Sequence, residues 1–360
     1  MAISVSEARG LFTKYVAEYL EITPSPTMML KSFFKTKTTD ALEIGIEVKR
    51  HHERIAVDVL RGANGNMNAA GKSTQKLIIP PYFNEGFALN ELDGYDRIAG
   101  QSGEISVSNF AKVVERAATR IQECKDSINR RYELMSAQVF TTGIVTLKNG
   151  DNIDFLRAGA SKGVLGAGNW WTEAAVDPHT TLEAAAKFIR TQGLYMGGEL
   201  NVILGAKAWN AFVNNPVVQK KNSILPWKLS DISSPIMFGS GGVFLGRVTA
   251  GSFVFNMWSY PQFYNAAGTD KTGKTPYIAD EQMVVLPNEM SFSFVYGGVP
   301  RIVRSTGSIA MPEYVEYASG EFMVDNFVDQ RSMNHEFWVK SAGVPIPTQV
   351  DAIYNSQVVA

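Results

Sequence analysis

Residues 106–140 read SVSNFAKVVERAATRIQECKDSINRRYELMSAQVF, the longest periodic run in the chain. Phe110, Val113, Val114, Ala117, Ala118, Ile121, Cys124, Ile128 and Met135 recur at helical spacing along one stripe. Lys112, Glu115, Arg116, Arg120, Glu123, Asp126, Arg130 and Arg131 take the opposite face. Ser106 or Ser108 offers a hydroxyl to the first free amides. The spacing predicts a helix over 108–140. About 32 residues rising ~1.5 Å each reach nearly ~50 Å, more than the width of a small domain. Such a helix lies along an elongated body or bridges several elements.

Downstream, Ile144 to Phe155 holds Asn149-Gly150 between apolar runs, the strongest short hairpin signal. Residues 158–168 are rich in Gly and Ala and read as loop. Leu182, Ala185, Ala186 and Ile189 mark a helix over 182–196. Val202-Ile203-Leu204 reads as a short strand, and Ala206 to Phe212 begins another helix. This alternation predicts a compact α/β unit. Residues 243–258 and 282–287 add strands around a polar loop at 265–276. The tail returns to β character at Glu336–Ser341 and Gln357–Ala360.

Upstream, Ser4 and Glu7 form a capping box before a helical pattern from Ala8 to Leu20, which Pro24 and Pro26 end. Met28 to Lys35 is a short apolar segment among basic residues. Leu42, Ile44, Ile46 and Val48 alternate, as do Ile55, Val57 and Val59, predicting two strands around the polar turn 49–54. Residues 61–76 carry almost no large apolar side chain and read as a long exposed loop. Leu77-Ile78-Ile79 leads back to Pro80-Pro81, whose missing N–H groups suit an edge or strand end.

The chain has 360 residues, enough for about two domains, with 45% hydrophobic and only 19% charged residues. So little charge on so long a chain predicts extensive contact with other chains. Lys and Arg total 34 against 35 Asp and Glu, a net charge of -1, which argues against a dedicated nucleic-acid binder. Near-neutrality also weakens repulsion between copies. The single cysteine, Cys124, excludes an intramolecular disulfide framework and reads as a buried apolar residue on the long helix. No stretch has the ~18–20 apolar residues of a membrane span. The N-terminus lacks a signal-peptide pattern, so a reducing cytoplasm is expected.

Gly268 to Thr275 satisfies the nucleotide-binding pattern G-x-x-x-x-G-K-[ST] in full. A working loop of that kind needs a strand before it and a helix after it. Pro276 follows Lys274-Thr275 at once and leads toward a strand, so a hairpin-type loop is expected. Gly71-Lys72-Ser73 misses the pattern, since Asn66 stands where its first glycine belongs. His51 and His52 point apart, and His179 and His335 are remote, so no metal site is expected. Glu91, Asp93 and Asp96 could serve acid–base chemistry but, spaced around Gly94, read as a solvated turn. Trp170-Trp171 reads as an anchor to a core or a neighbouring subunit. No catalytic residue, cofactor or metal is expected.

Taken in order, these segments resemble the lambda-type major capsid protein family of tailed bacteriophages, the capsid protein E family. Phe33-Phe34 and the 42–48 strand are similar to its N-terminal arm entering the first strands. Arg61-Gly62 to Lys76, followed by Ile79-Pro80-Pro81-Tyr82, resembles its extended loop. Residues 108–140 and Gly143 to Asp154 resemble its spine helix and following hairpin. Tyr277 to Leu286 resembles the segment after its axial-domain loop. His335-Glu336-Phe337 through Ser341 to Pro345, ending at Val359-Ala360, is similar to its C-terminal strands.

The resemblance implies an α+β chain of the Hong Kong 97-type major capsid fold. Its parts would be an N-terminal arm (1–48), an extended-loop hairpin with return strand (49–104), a peripheral domain with spine helix and hairpin (105–194), an axial α/β domain (195–290) and peripheral C-terminal strands (291–360). It implies a structural protein whose hexamers and pentamers tile an icosahedral shell, assembled in the host cytoplasm around packaged double-stranded DNA that is touched only weakly. Separate scaffold, portal and decoration proteins are the implied partners. With only about 40 residues before the first strand, no fused scaffold is expected. The alternatives are an encapsulin-like shell of the same fold and a nucleotide-binding enzyme using Gly268 to Thr275. Cross-linking of Lys72 or Lys76 to an asparagine such as Asn355 is not expected. The loop at 61–76 has no apolar anchor, and ordering it costs about 1–2 kcal/mol per residue, so a neighbour must supply its contacts. Arg61, Gly62, Gly71, Lys72 and Lys76, with Phe33 and Phe34 as apolar anchors, are therefore the expected assembly contacts.

Overall fold

The computed structural model describes residues 26–49, 73–89, 109–147, 151–224, 230–231, 236–237, 241–265, 274–288, 292–303, 314–329 and 334–360. The periodic run forms one helix, Asn109–Thr141, of 33 residues. Of its expected stripe, Ala117, Ile128 and Met135 are buried, Ile121 and Cys124 are half-buried, and Ala118 is exposed. Toward its end the burial widens. Tyr132, Glu133, Met135, Ser136, Ala137, Val139 and Phe140 are all inside, so the helix enters the core.

A five-stranded sheet packs on this helix. Its long strand Asn334–Ile346 runs first between Met323–Asp329 and Tyr82–Leu89, both antiparallel to it. Its second half pairs antiparallel with Ser293–Tyr296, which carries Lys35–Thr38 in parallel on its other side. Helix and sheet close through aromatic rings. Tyr132 lies 5.0 Å from Phe294 and 5.7 Å from Tyr296, centroid to centroid. Gly343 permits this approach, because a Cβ there would stand 2.7 Å from Phe294 and 3.0 Å from Tyr132.

The second sheet has eight strands. Along it lie Ile236–Met237, Val243–Ala250, Phe253–Ser259, Glu199–Leu204, Gln282–Pro287, Tyr354–Gln357 and Lys162–Val164, with Ser230–Asp231 beside Val243–Ala250. Its centre is buried on both faces, which is why Val202-Ile203-Leu204 and Met283-Val284-Val285 are continuous apolar runs rather than alternating ones. Val202, Leu204, Met283 and Val285 join the core under the helices Pro178–Thr191 and Ala206–Asn214. Ile203 and Val284 turn the other way, into the core that the long helix shares.

Several expected boundaries shift. The α/β unit is not confined to 195–290. The helix Pro178–Thr191 packs in its core, and Lys162–Val164, expected as loop, pairs with Tyr354–Gln357 in its sheet. The segment 291–360 therefore divides. Asn334–Ile346 packs on the long helix as expected, whereas Tyr354–Gln357 adds a strand beside Gln282–Pro287 and Val358 enters the α/β core. A strand that alternates Ile353, Asn355 and Gln357 with its neighbours fits an open edge of either sheet, and pattern alone could not choose. The strand at 42–48 is present as Ile44–Lys49, paired with Ser73–Ile78. Residues 55–59 lie outside the described residues. Ile144–Thr146 and Asn152–Asp154 form the expected hairpin arms. The strand Lys35–Thr38 and the helix Pro216–Ile224 were not foreseen.

Candidate assembly surfaces

The N-terminal arm corrects one expectation. Phe34 is not an anchor on another subunit, being only 6% exposed within its own chain. Its ring stacks on Phe140 at 5.2 Å and meets Phe292 at 5.3 Å. Phe33 is half-buried and stands edge-on to Phe140 at 6.0 Å. The cause is the short helix Met29–Ser32, which folds the arm back so that Met29 and Leu30 are buried. A free arm would expose both rings, at roughly 25 cal/mol per Å², and the end of the long helix offers them a site.

Two charged groups fix this seat. Glu133, wholly buried on the long helix, accepts the Leu30 N–H at 2.7 Å and the Lys31 N–H at 2.9 Å. Burial pushes its carboxyl up to about 7, against the pull of those amides. The Lys31 ammonium lies 2.7 Å from Glu321 Oε1 and 5.3–5.5 Å from the rings of Tyr132, Phe294 and Tyr296.

At the same end of the long helix, buried Arg157 donates to the carbonyls of Phe140 (2.8 Å) and Thr141 (3.3 Å) and to both oxygens of Ser161. Burial lowers its guanidinium to about 10, still cationic at neutral pH. A cation at a helix C-terminus meets the negative end of the macrodipole. Neither Glu133 nor Arg157 was singled out from sequence. Each is a lone charge beside apolar residues, and only the fold shows what it meets.

Of the expected loop contacts, Arg61, Gly62, Gly71 and Lys72 lie outside the described residues. Lys76 stands opposite Ile46 in the two-stranded ladder. At the foot of that ladder Ile78 is buried, yet Leu77 and Ile79, on the opposite face, are 69% and 58% exposed. Gly45, across from Leu77, leaves it uncovered. Leu42 and Tyr82 are exposed nearby in sequence. Apolar residues that follow one another onto both faces, as Leu77, Ile78 and Ile79 do, are suited to being covered on both.

Of the nucleotide-binding pattern, only Lys274 and Thr275 are among the described residues. Lys274–Pro276 is a strand paired antiparallel with Phe263–Asn265, and the next regular element is the strand Gln282–Pro287. No helix N-terminus follows Lys274 to receive a phosphate. Trp171 is fully buried against Phe212 at 5.7 Å, an anchor within its own chain. Cys124 is half-buried on the long helix, and burial raises its thiol. His179 Nδ1 meets Asp177 at 3.0 Å, with Lys221 on the other carboxylate oxygen. Asn355 is buried and donates to the Thr141 carbonyl at 3.0 Å. His51, His52, Glu91, Asp93 and Asp96 lie outside the described residues. Among the described residues no cluster of three His, Cys, Asp or Glu side chains is placed to hold a metal ion. No described helix is long and apolar enough to cross a membrane.

The family model described as phage major capsid protein E matches residues 13–358. The chain belongs to the phage major capsid protein E family. A capsid protein of an Escherichia coli CFT073 prophage superposes with a TM-score of 0.59 at 15% identity, over 98% of this chain and 99% of that one. The capsid protein of cyanophage A-1(L) gives a TM-score of 0.50 at 12% identity, over 95% of each chain. No curated protein sequence matches the chain. The capsid protein therefore has the Hong Kong 97-type fold, and it is a structural, shell-forming subunit of the phage virion.

Proposed function

We propose that this capsid protein assembles as hexamers and pentamers into an icosahedral shell around double-stranded DNA, in the host cytoplasm, with no catalytic activity or cofactor of its own. The observation that carries the reading is the uncovered face of the loop ladder. Leu77 and Ile79 are exposed where the strand Ser73–Ile78 ends, on either side of buried Ile78, and a two-stranded ladder is marginal in water without a further layer. A second copy laid against that face supplies the layer.

Separate scaffold, portal and decoration proteins are the proposed partners. Contact with DNA is proposed to be weak, since a net charge of -1 offers little to release counterions from phosphate. Expression of the chain alone and with the neighbouring phage genes, followed by sedimentation and electron microscopy, tests the reading. Closed particles support it, and small soluble species under both conditions count against it.

A further inference from the structure

The segment Thr27–Phe34 is held to the body by contacts from several elements. The Tyr260 hydroxyl donates to the Thr27 carbonyl at 3.2 Å and lies 2.9 Å from its Oγ1. Glu133 takes the amides of Leu30 and Lys31. Lys31 is caged with Glu321, and Phe34 stacks on Phe140. Among these, Glu133 is the one charge wholly removed from water. Its two oxygens accept the two arm amides, with the Tyr260 hydroxyl and the Lys31 charge acting in the same direction, while the Lys31 ammonium itself bonds Glu321.

We propose that Glu133 is a proton-operated latch for the segment Thr27–Phe34, which seats firmly when Glu133 is protonated and loosens when it ionises. The ionised carboxylate is stable in water and costly in the closed seat. Lifting the segment admits water to it, so ionisation favours the lifted arm. The neutral acid gives up little on burial and favours the closed arm.

The upward shift of the Glu133 carboxyl to about 7 agrees with this balance, burial outweighing the amide bonds. Its value with the arm lifted is the ordinary one near 4.5. The latch is therefore fully favoured below that value and is lost as pH rises through about 7. The other groups around the seat do not titrate in that window. Tyr260 and Tyr277, facing Glu133 from the sheet side, are raised above the phenol range, and Glu321 is lowered below the carboxylate range. The basic groups near the seat are Lys31, which acts on Glu133 from the arm, and Arg130 of the same helix, which acts on Tyr277.

Hydrogen–deuterium exchange of the intact protein tests the latch, with rates for peptides spanning 27–34 normalised to the unfolded chain at each pH. Protection in the wild type is expected to fall more than about tenfold between about pH 5.5 and about pH 8.5, with a one-proton midpoint near about 7. Glu133→Gln, neutral throughout, is expected to hold equal protection at both. A flat or rising wild-type profile overturns the proposal whether or not that variant folds. So does a Glu133→Gln profile that falls like the wild type's.

Discussion

Arg157 Nη1 donates to the carbonyl oxygen of Phe140 at 2.8 Å, across the turn that ends the long helix. Seventeen residues separate the two, and the intervening hairpin brings them together. The same guanidinium holds Ser161, just before the strand Lys162–Val164 at the edge of the eight-stranded sheet. Asn355, on the neighbouring strand, donates to the Thr141 carbonyl. The end of the helix is thus tied to the α/β unit by two buried side chains, and its last carbonyls are satisfied without water.

Arg157→Met is expected to destabilise the subunit by about 3 kcal/mol, because it strands buried carbonyls that had charged donors. Arg157→Lys is expected to recover only part of this, since a single ammonium cannot reproduce the planar fork. Chemical denaturation of the unassembled protein reads both.

Phe34→Ala is expected to cost about 3–5 kcal/mol of subunit stability, the range for emptying an aromatic site in a core. The loss would appear in the melting of the subunit itself, before any question of assembly. A variant as stable as the wild type would mean that the arm does not rest on Phe140.

Leu77→Ser combined with Ile79→Ser is expected to change subunit stability by less than about 0.5 kcal/mol, as exposed substitutions do. Particle yield, read by sedimentation, is expected to collapse. Normal particles from this variant would remove the ladder face from the assembly contacts.

Lys274→Ala is expected to assemble normally, and neither protein is expected to bind ATP. Lys274 lies exposed on a hairpin strand opposite Asn265, with no helix beyond it. Micromolar binding in the wild type, lost in the variant, would contradict that placement.

The long helix was legible to within a residue because one stripe of apolar side chains repeats over many turns. The hairpin arms around Asn149-Gly150 and the strands at 202–204 and 282–287 were legible for similar local reasons. What sequence could not show was which sheet a short strand joins. Lys162–Val164 and Tyr354–Gln357 are too brief to carry a period and owe their place to each other and to Gln282–Pro287. The arm was misread for a related cause. Phe33 and Phe34 announce burial, but not whether the covering surface belongs to the same chain. Glu133 and Arg157 were invisible as functional groups, since a buried charge is defined by partners distant in sequence.

The central claim, that this chain builds a closed shell, is tested most directly by electron microscopy of the purified protein after co-expression with its neighbouring genes. Uniform closed particles with hexameric and pentameric clusters of this subunit are the expected result. A population of monomers or small oligomers alone, from folded protein under those conditions, would contradict it.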